Sequence, residues 1–207
     1  MENTFTSWLG GEFYFNFHSR ECIWKPMAKC LKHLENAPNL NFLEIGSCEG
    51  QSTLWFIKKI LTHESSKITC IDPHSENSWY NKSDNKHREK TDKTTFEIFK
   101  KNILEQHSEK VTYFRKKSWE VLPFLKDKFD VIYVDGCHDF PNVYVDAKFS
   151  SDLLKKDGIV MFDDYRTSKG LKQSCDVYDA VSQLRREGYY NNKVELNSNN
   201  VLILGPQ

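Results

Sequence analysis

Short apolar runs alternate with amphipathic stretches between residues 40 and 187, and this rhythm limits the possible folds more than any other feature of the chain. Residues 40–46, 67–72, 111–115, 129–135 and 159–162 read as buried strands, being short, apolar and bounded by turn residues. Residues 52–61, 94–107, 119–125, 143–154 and 176–187 read as helices. Leu54, Ile57 and Leu61 share one face of the first, with Phe56 and Ile60 beside them. Phe96, Phe99 and Ile103 line the second, which Thr94 or Thr95 caps. Val143, Ala147, Ser150 and Leu154 line the fourth, and Gly158 supplies its left-handed C-terminal turn. Two more strands are expected, around 194–196 and 201–204. Strands that alternate with helices form βαβ units, hence a parallel sheet with helices on both faces.

Composition narrows the function. Lys+Arg and Asp+Glu both number 29, so the formal charge is zero. Phosphate-dominated binding needs a basic excess, so the neutral balance argues against nucleic acid as a partner. Hydrophobic residues at 39% and aromatics at 14% suit one folded domain rather than a disordered chain. No apolar run nears the ~18 residues of a membrane span. Glu2, Asn3 and Thr4 are unlike a basic leader, and the expectation is a cytoplasmic protein. The six cysteines, at 22, 30, 48, 70, 137 and 175, form no CxxC pair and read as free thiols. The sequon Asn81-Lys82-Ser83 matters only on a secretory route.

Two segments stand outside the rhythm. Residues 1–39 are rich in aromatics (Trp8, Phe13, Tyr14, Phe15, Phe17, Trp24), with breaks expected at Pro26 and Pro38. They read as a cover for a substrate or for a second copy in a homo-oligomer, ahead of a main domain over 40–207. Residues 73–93 are polar and aperiodic, which suits either a substrate lid or a linker. Trp79 and Tyr80 there could stack on a sugar ring or anchor the loop.

Open α/β sheets bind ligands beyond the carboxyl ends of their strands. Four such ends carry chemistry. In Glu44-Ile45-Gly46-Ser47-Cys48-Glu49-Gly50-Gln51-Ser52 a strand runs through a tight glycine loop into a helix, whose unpaired N–H groups can meet a carboxylate. Its GxxxG spacing differs from the GxGxxG of pyrophosphate cofactors. Asp72 ends the next strand, placed either to accept from both hydroxyls of a ribose or to cap the turn before Pro73. Asp135 and the Asp163-Asp164 pair end two further strands. Strands lie about 4.8 Å apart, so these carboxylates can converge, provided the chain has turned by Asp164. Convergence favours a hard divalent cation between them; otherwise the pair caps a loop and faces water. His138 stands at the mouth of the same crevice.

Together FLEIGSCEGQST, ITCIDPH and FDVIYVDGCHDFPNVYVDAKFSSDLLKKDGIVMFDDY resemble class I S-adenosylmethionine-dependent methyltransferases. The likeness is to the small-molecule branch of sugar, antibiotic and catechol-like O-methyltransferases, and it spans about residues 40–166. It implies a Rossmann-like three-layer sandwich with a mostly parallel seven-stranded sheet in the order 3-2-1-4-5-7-6. Glu44, Gly46, Ser47, Gly50, Gln51 and Ser52 would then hold the methionine part of S-adenosylmethionine. Asp72 would bind the ribose, Ser118 the adenine, and Asp135 would also border the cofactor. Asp135, Asp163 and Asp164 would hold Mg²⁺ or Mn²⁺, and His138 would be the general base. Lys156-Asp157-Gly158 departs from the commoner double glycine, and Phe140 stands where Tyr is frequent. The leading expectation is metal-assisted methyl transfer to a hydroxyl of a sugar or other small molecule. The alternative is metal-independent transfer to an amine, protein or RNA. An inactive cofactor-binding protein and a nicotinamide-dependent dehydrogenase fit the residues less well.

Overall fold

A computed structural model of the 207-residue chain describes residues 9–14, 21–75, 93–165, 176–191, 193–198 and 201–206. One seven-stranded sheet runs through it. In chain order its strands are β1 (Asn41–Ile45), β2 (Lys67–Ile71), β3 (Val111–Phe114), β4 (Phe129–Val134), β5 (Leu154–Phe162), β6 (Lys193–Ser198) and β7 (Val201–Pro206). The spatial order is β3-β2-β1-β4-β5-β7-β6, as expected. The first five strands pair in parallel, and β7 pairs antiparallel with both β5 and β6. A parallel neighbour requires a helical crossover, which is why the helices fall between the strands of that half.

The core has two layers, one on each face of the sheet. Phe42, Ile68, Val131, Tyr133 and Met161 point to one side, and Leu43, Ile45, Ile132, Val134 and Phe162 to the other, the period-two alternation of a strand. Helices α1 (Glu21–Leu31) and α2 (Gln51–Lys59) cover the first face, with α3 (Thr95–Phe99). Helices α5 (Phe140–Leu153) and α6 (Asp176–Arg186) cover the second, with the short α4 (Ser118–Val121). Thr94 caps α3 in a reciprocal box with Glu97, Glu97 N donating to Thr94 Oγ1 at 3.2 Å and Thr94 N to Glu97 Oε2 at 2.6 Å. The helix does not stay α-helical to its end. A π-helical turn, Lys100–Leu104, joins it to a last turn, Glu105–His107.

Three expectations fail here, each for a local reason. Pro26 lies inside α1 rather than ending it. The bond lost at its nitrogen is offset by the full burial of Trp24, Met27 and Leu31 along one stripe. Helix α5 starts at Phe140, a turn before Val143, because the Asp139 side chain accepts from Asn142 N at 3.1 Å and Pro141 suits a first turn. It also ends earlier, at Leu153, and Gly158 is not its cap: β5 begins at Leu154 and passes through Gly158 in a stretch where its register against β4 shifts. Gly158 has no positive φ; a Cβ there would meet Leu154 Cδ1 at 2.9 Å, so lack of space explains the glycine.

Candidate active site

Strand order reverses between β1 and β4, and the expected site residues gather at that switch. The hydrogen-bond ladder continues one residue past each strand. Gly46 N donates to Ile71 O (2.9 Å), Asp72 N to Phe114 O (3.2 Å), Asp135 N to Ile45 O (2.8 Å) and Asp163 N to Val134 O (3.0 Å). Gly46, Asp72, Asp135 and Asp163 therefore form a row along the carboxyl edge of the sheet. Gly46 has φ +87°, and a Cβ on it would lie 2.1 Å from Asp135 O, so no larger residue fits. Gly50, at φ +83°, is confined from the other side: its Cβ would meet Ile103 Cγ1 of the π-helical turn at 2.5 Å.

The carboxylate of Asp72 is engaged by the glycine loop. Its Oδ2 accepts from Ser47 N and Cys48 N, both at 2.8 Å, and its Oδ1 accepts from His74 N at 2.7 Å. Four lone-pair sites less three donors leave one for a ligand. Of the two roles read from the sequence, the cap of its own turn is the one seen, and the carboxylate also holds the glycine loop. His74, not singled out among the site residues, completes the hold. It is 3% exposed, with Nε2 2.6 Å from Cys48 O and Nδ1 2.5 Å from Tyr113 Oη. Phe96, Phe99 and Tyr113 surround its ring. Its position directly after a strand-ending Asp-Pro was the available signal.

Glu44 lies beneath the loop with no exposure. Its Oε2 accepts from Ser47 Oγ at 3.0 Å and from Thr53 Oγ1. Its Oε1 has no well-formed hydrogen bond. Burial pushes its carboxyl up to about 7, against the pull of the Ser52, Thr53 and Ser47 hydroxyls. Gln51 and Ser52 open α2, whose first intrahelical bond is Leu54 N to Gly50 O, so the N–H groups of Gln51, Ser52 and Thr53 have no acceptor within the helix. These residues fit S-adenosylmethionine in kind: an orphaned buried carboxylate oxygen, a glycine cradle without room for a Cβ, and helix N–H donors for a ligand carboxylate.

At the far side of the switch, β5 ends at Phe162 and the chain does turn, with Asp164 at φ +51°. Cys48 and His74 also have positive φ, +46° and +43°. Three non-glycine residues in this region at one sheet edge mark held strain of the kind found at functional sites. The turn brings Asp164 to His138. His138 Nδ1 lies 3.3 Å from Asp164 Oδ2 and its Nε2 3.3 Å from Asp135 Oδ1, while Tyr133 Oη donates to Asp135 Oδ2 at 3.3 Å. Burial pulls the imidazole down, but the two carboxylates outweigh it and hold it up at about 11. The ring is an imidazolium in this arrangement.

The expected cation site is not assembled in the same way. Among the described residues no three His, Cys, Asp or Glu side chains converge as metal ligands, since Asp135 and Asp164 both face His138. Asp163 is buried, at 4% exposed. Ser118 opens α4 beside the buried carboxylate of Asp146 on α5, whose pKa its hydroxyl helps to lower against the effect of burial. Asp146 is a group sequence reasoning passed over. It is 2% exposed, its Oδ2 would lie 3.5 Å from a Cβ on Gly136, and burial raises it to about 7. An Asp inside the buried stripe of Val143, Ala147 and Ser150 was its signal. Trp79, Tyr80 and the rest of 76–92 lie outside the described residues, as do Trp8, Phe15 and Phe17. Among the described residues no helix is long and apolar enough to cross a membrane. Cys30, Cys48, Cys70 and Cys137 are free thiols.

A parallel sheet ending in an antiparallel β7, with an acidic crevice at its β1/β4 switch, defines the class I methyltransferase fold. The chain belongs to the methyltransferase domain family, whose model matches residues 43–165. The uncharacterized protein R132 of Acanthamoeba polyphaga mimivirus is 26% identical over 178 residues, 85% of this chain and 69% of that protein. Two solved structures share the fold. The O-methyltransferase TomG of Streptomyces achromogenes, in complex with S-adenosylmethionine, has a TM-score of 0.61 at 11% identity and aligns over 93% of this chain and 82% of its own. The methyltransferase PaMTH1 of Podospora anserina, bound to S-adenosylhomocysteine, has a TM-score of 0.61 at 16% identity, over 92% of this chain and 80% of its own.

Proposed function

We propose that the chain methylates a hydroxyl of a sugar or other small molecule, with His138 taking the hydroxyl proton. Bound S-adenosylmethionine supplies a methyl group activated by its sulfonium. The acceptor oxygen gains that methyl, the sulfonium loses it, and the proton must leave in the same step. The observation that carries the reading is the placement of His138 between Asp135 and Asp164. Asp135 lies on the Nε2 side of the ring at 3.3 Å, a charge contact rather than an aligned hydrogen bond. Asp164, with its side chain 43% exposed, is the carboxylate an entering hydroxyl can displace; without that partner the ring can release its Nδ1 proton to solvent, and the hydroxyl then meets a neutral Nδ1 able to accept its proton. The O-methyltransferase TomG shares this fold, which agrees with an oxygen acceptor. On the cofactor side we assign Glu44, Gly46, Ser47, Gly50, Gln51, Ser52 and Asp72 to the methionine and ribose, and Ser118 to the adenine.

Asp135, Asp163 and Asp164 would be the residues to hold Mg²⁺ or Mn²⁺, whose chemistry would be to polarise the acceptor hydroxyl. As folded, two of them are committed to His138. The test is turnover on a panel of hydroxylated small molecules, read as S-adenosylhomocysteine release, after EDTA and again with Mg²⁺ restored. His138→Ala should lower kcat about 10²–10⁴-fold. Undiminished turnover in that variant would remove the base and favour an amine acceptor. Turnover that returns only with Mg²⁺ would require the carboxylates to leave His138.

A further inference from the structure

Residues 9–14 run across the glycine loop as a strap, and one amide side chain joins the two. Glu12 N donates to Asn102 Oδ1 at 3.0 Å, and Asn102 Nδ2 donates back to Glu12 O at 2.8 Å. That pair of bonds is the one a neighbouring strand would make to the same residue. The second Nδ2 hydrogen goes to Glu49 O of the loop, at 3.1 Å. Two residues along the strap, Tyr14 N donates to the Glu49 carboxylate, Oε2, at 2.7 Å. Glu49 thus presents both its carbonyl and its side chain towards the strap and its clamp.

Asn102 has no local reason to be where it is. It lies in the π-helical turn Lys100–Leu104, beside Ile103 and 2% exposed, where an apolar residue would serve the helix better. Isolated π-helical turns occur mostly at functional sites. This one also presses Ile103 against Gly50, so the turn touches the loop at two successive residues, Glu49 and Gly50. The strap is further held by Leu9, which is fully buried, and by Lys58 Nζ donating to Leu9 O. The Glu12 carboxylate pairs with Lys93 and Lys101, but these lysines are 39% and 56% exposed, and such pairs contribute little. The buried amide bonds set the geometry.

We propose that Asn102 is a positioning residue that couples the strap to the cofactor loop, so that the strap seats more firmly when cofactor is bound. The proposal rests on the assignment of the glycine loop to the cofactor. Coupling between two sites is reciprocal: whatever the seated strap adds to cofactor affinity, the cofactor adds to the seating of the strap. A residue that merely stabilised the fold would lower the melting temperature without making strap protection depend on ligand.

The test is amide hydrogen exchange at Glu12 and Tyr14 in the full chain, with and without S-adenosylhomocysteine, alongside calorimetric affinity. Ligand should slow exchange at both amides. In Asn102→Ala that slowing should vanish and affinity should fall about tenfold, the worth of one or two neutral hydrogen bonds. Because Asn102 is buried and its variant could fail to fold, Tyr14→Pro provides a second arm. It deletes the strap's donor to Glu49 without touching the core, and it should also weaken ligand binding severalfold. Exchange at Glu12 and Tyr14 that ignores ligand in the unmodified chain, or wild-type affinity in Tyr14→Pro, overturns the coupling while the cofactor assignment stands. No binding of S-adenosylhomocysteine to the unmodified chain overturns both.

Discussion

Replacing Glu44 by Gln should change how the stability of this protein depends on pH. The carboxyl is held at about 7 in the folded chain, by burial first, against 4.5 as its ordinary value. Below pH 4.5 it is protonated whether the chain is folded or not, and the site costs nothing. As pH rises from 4.5 to 7 the unfolded chain ionises and the folded one resists, so stability falls. Above pH 7 the loss levels off at about 3 kcal/mol. Gln keeps an oxygen for Ser47 Oγ and Thr53 Oγ1 and never ionises, so it removes that loss. Its new NH₂ group needs a partner, at about 1–3 kcal/mol if it finds none, but that cost does not vary with pH. Asp146, raised to about 7 for the same reason, is present in both proteins and cancels from the comparison. Urea unfolding at pH 4.5 and pH 8 reads the effect: Glu44→Gln should gain about 3 kcal/mol on the unmodified protein between the two. Stability curves that stay parallel would show that Glu44 ionises as freely in the fold as in water, and the account of its burial would be wrong.

Three further outcomes follow from the same geometry. Asp72→Ala removes the acceptor of three loop and turn amides and should weaken S-adenosylhomocysteine binding by about 1.5–3 kcal/mol; calorimetry giving unchanged affinity in a folded variant takes Asp72 out of the site. Gly46→Ala sets a Cβ 2.1 Å from a backbone carbonyl at a left-handed φ, so it should cost more than about 3 kcal/mol in chemical denaturation, and a near-neutral result would mean that the β1 and β4 ends are further apart. Asp139→Ala deletes the cap of α5 and should cost about 0.5–2 kcal/mol, seen as a lower melting temperature; no change would place the helix start back near Val143.

The sequence by itself determined the strands, their order of appearance and the acidic residues that follow β2, β4 and β5. Apolar runs such as FDVIYV are too short and too apolar for anything but a buried strand, and alternation with helices leaves little choice but a parallel sheet. It also placed Gly46, Asp72, Asp135 and Asp163 at one edge, because a parallel sheet aligns the carboxyl ends of its strands. What it could not fix is where a side chain turns once it is there. Whether Asp135 and Asp164 face a cation or His138 depends on a left-handed turn at Asp164, and Asp is only one of the residues that adopt it. Asp72 spends most of its acceptor capacity on the backbone of Ser47 and Cys48, a pairing across two loops that no periodicity records. Glu12 and Asn102 meet across 90 residues of chain. Hydrophobic patterning reports burial along one element at a time, whereas a hydrogen bond between distant elements needs both at their final separation and angle, which only the packed structure supplies.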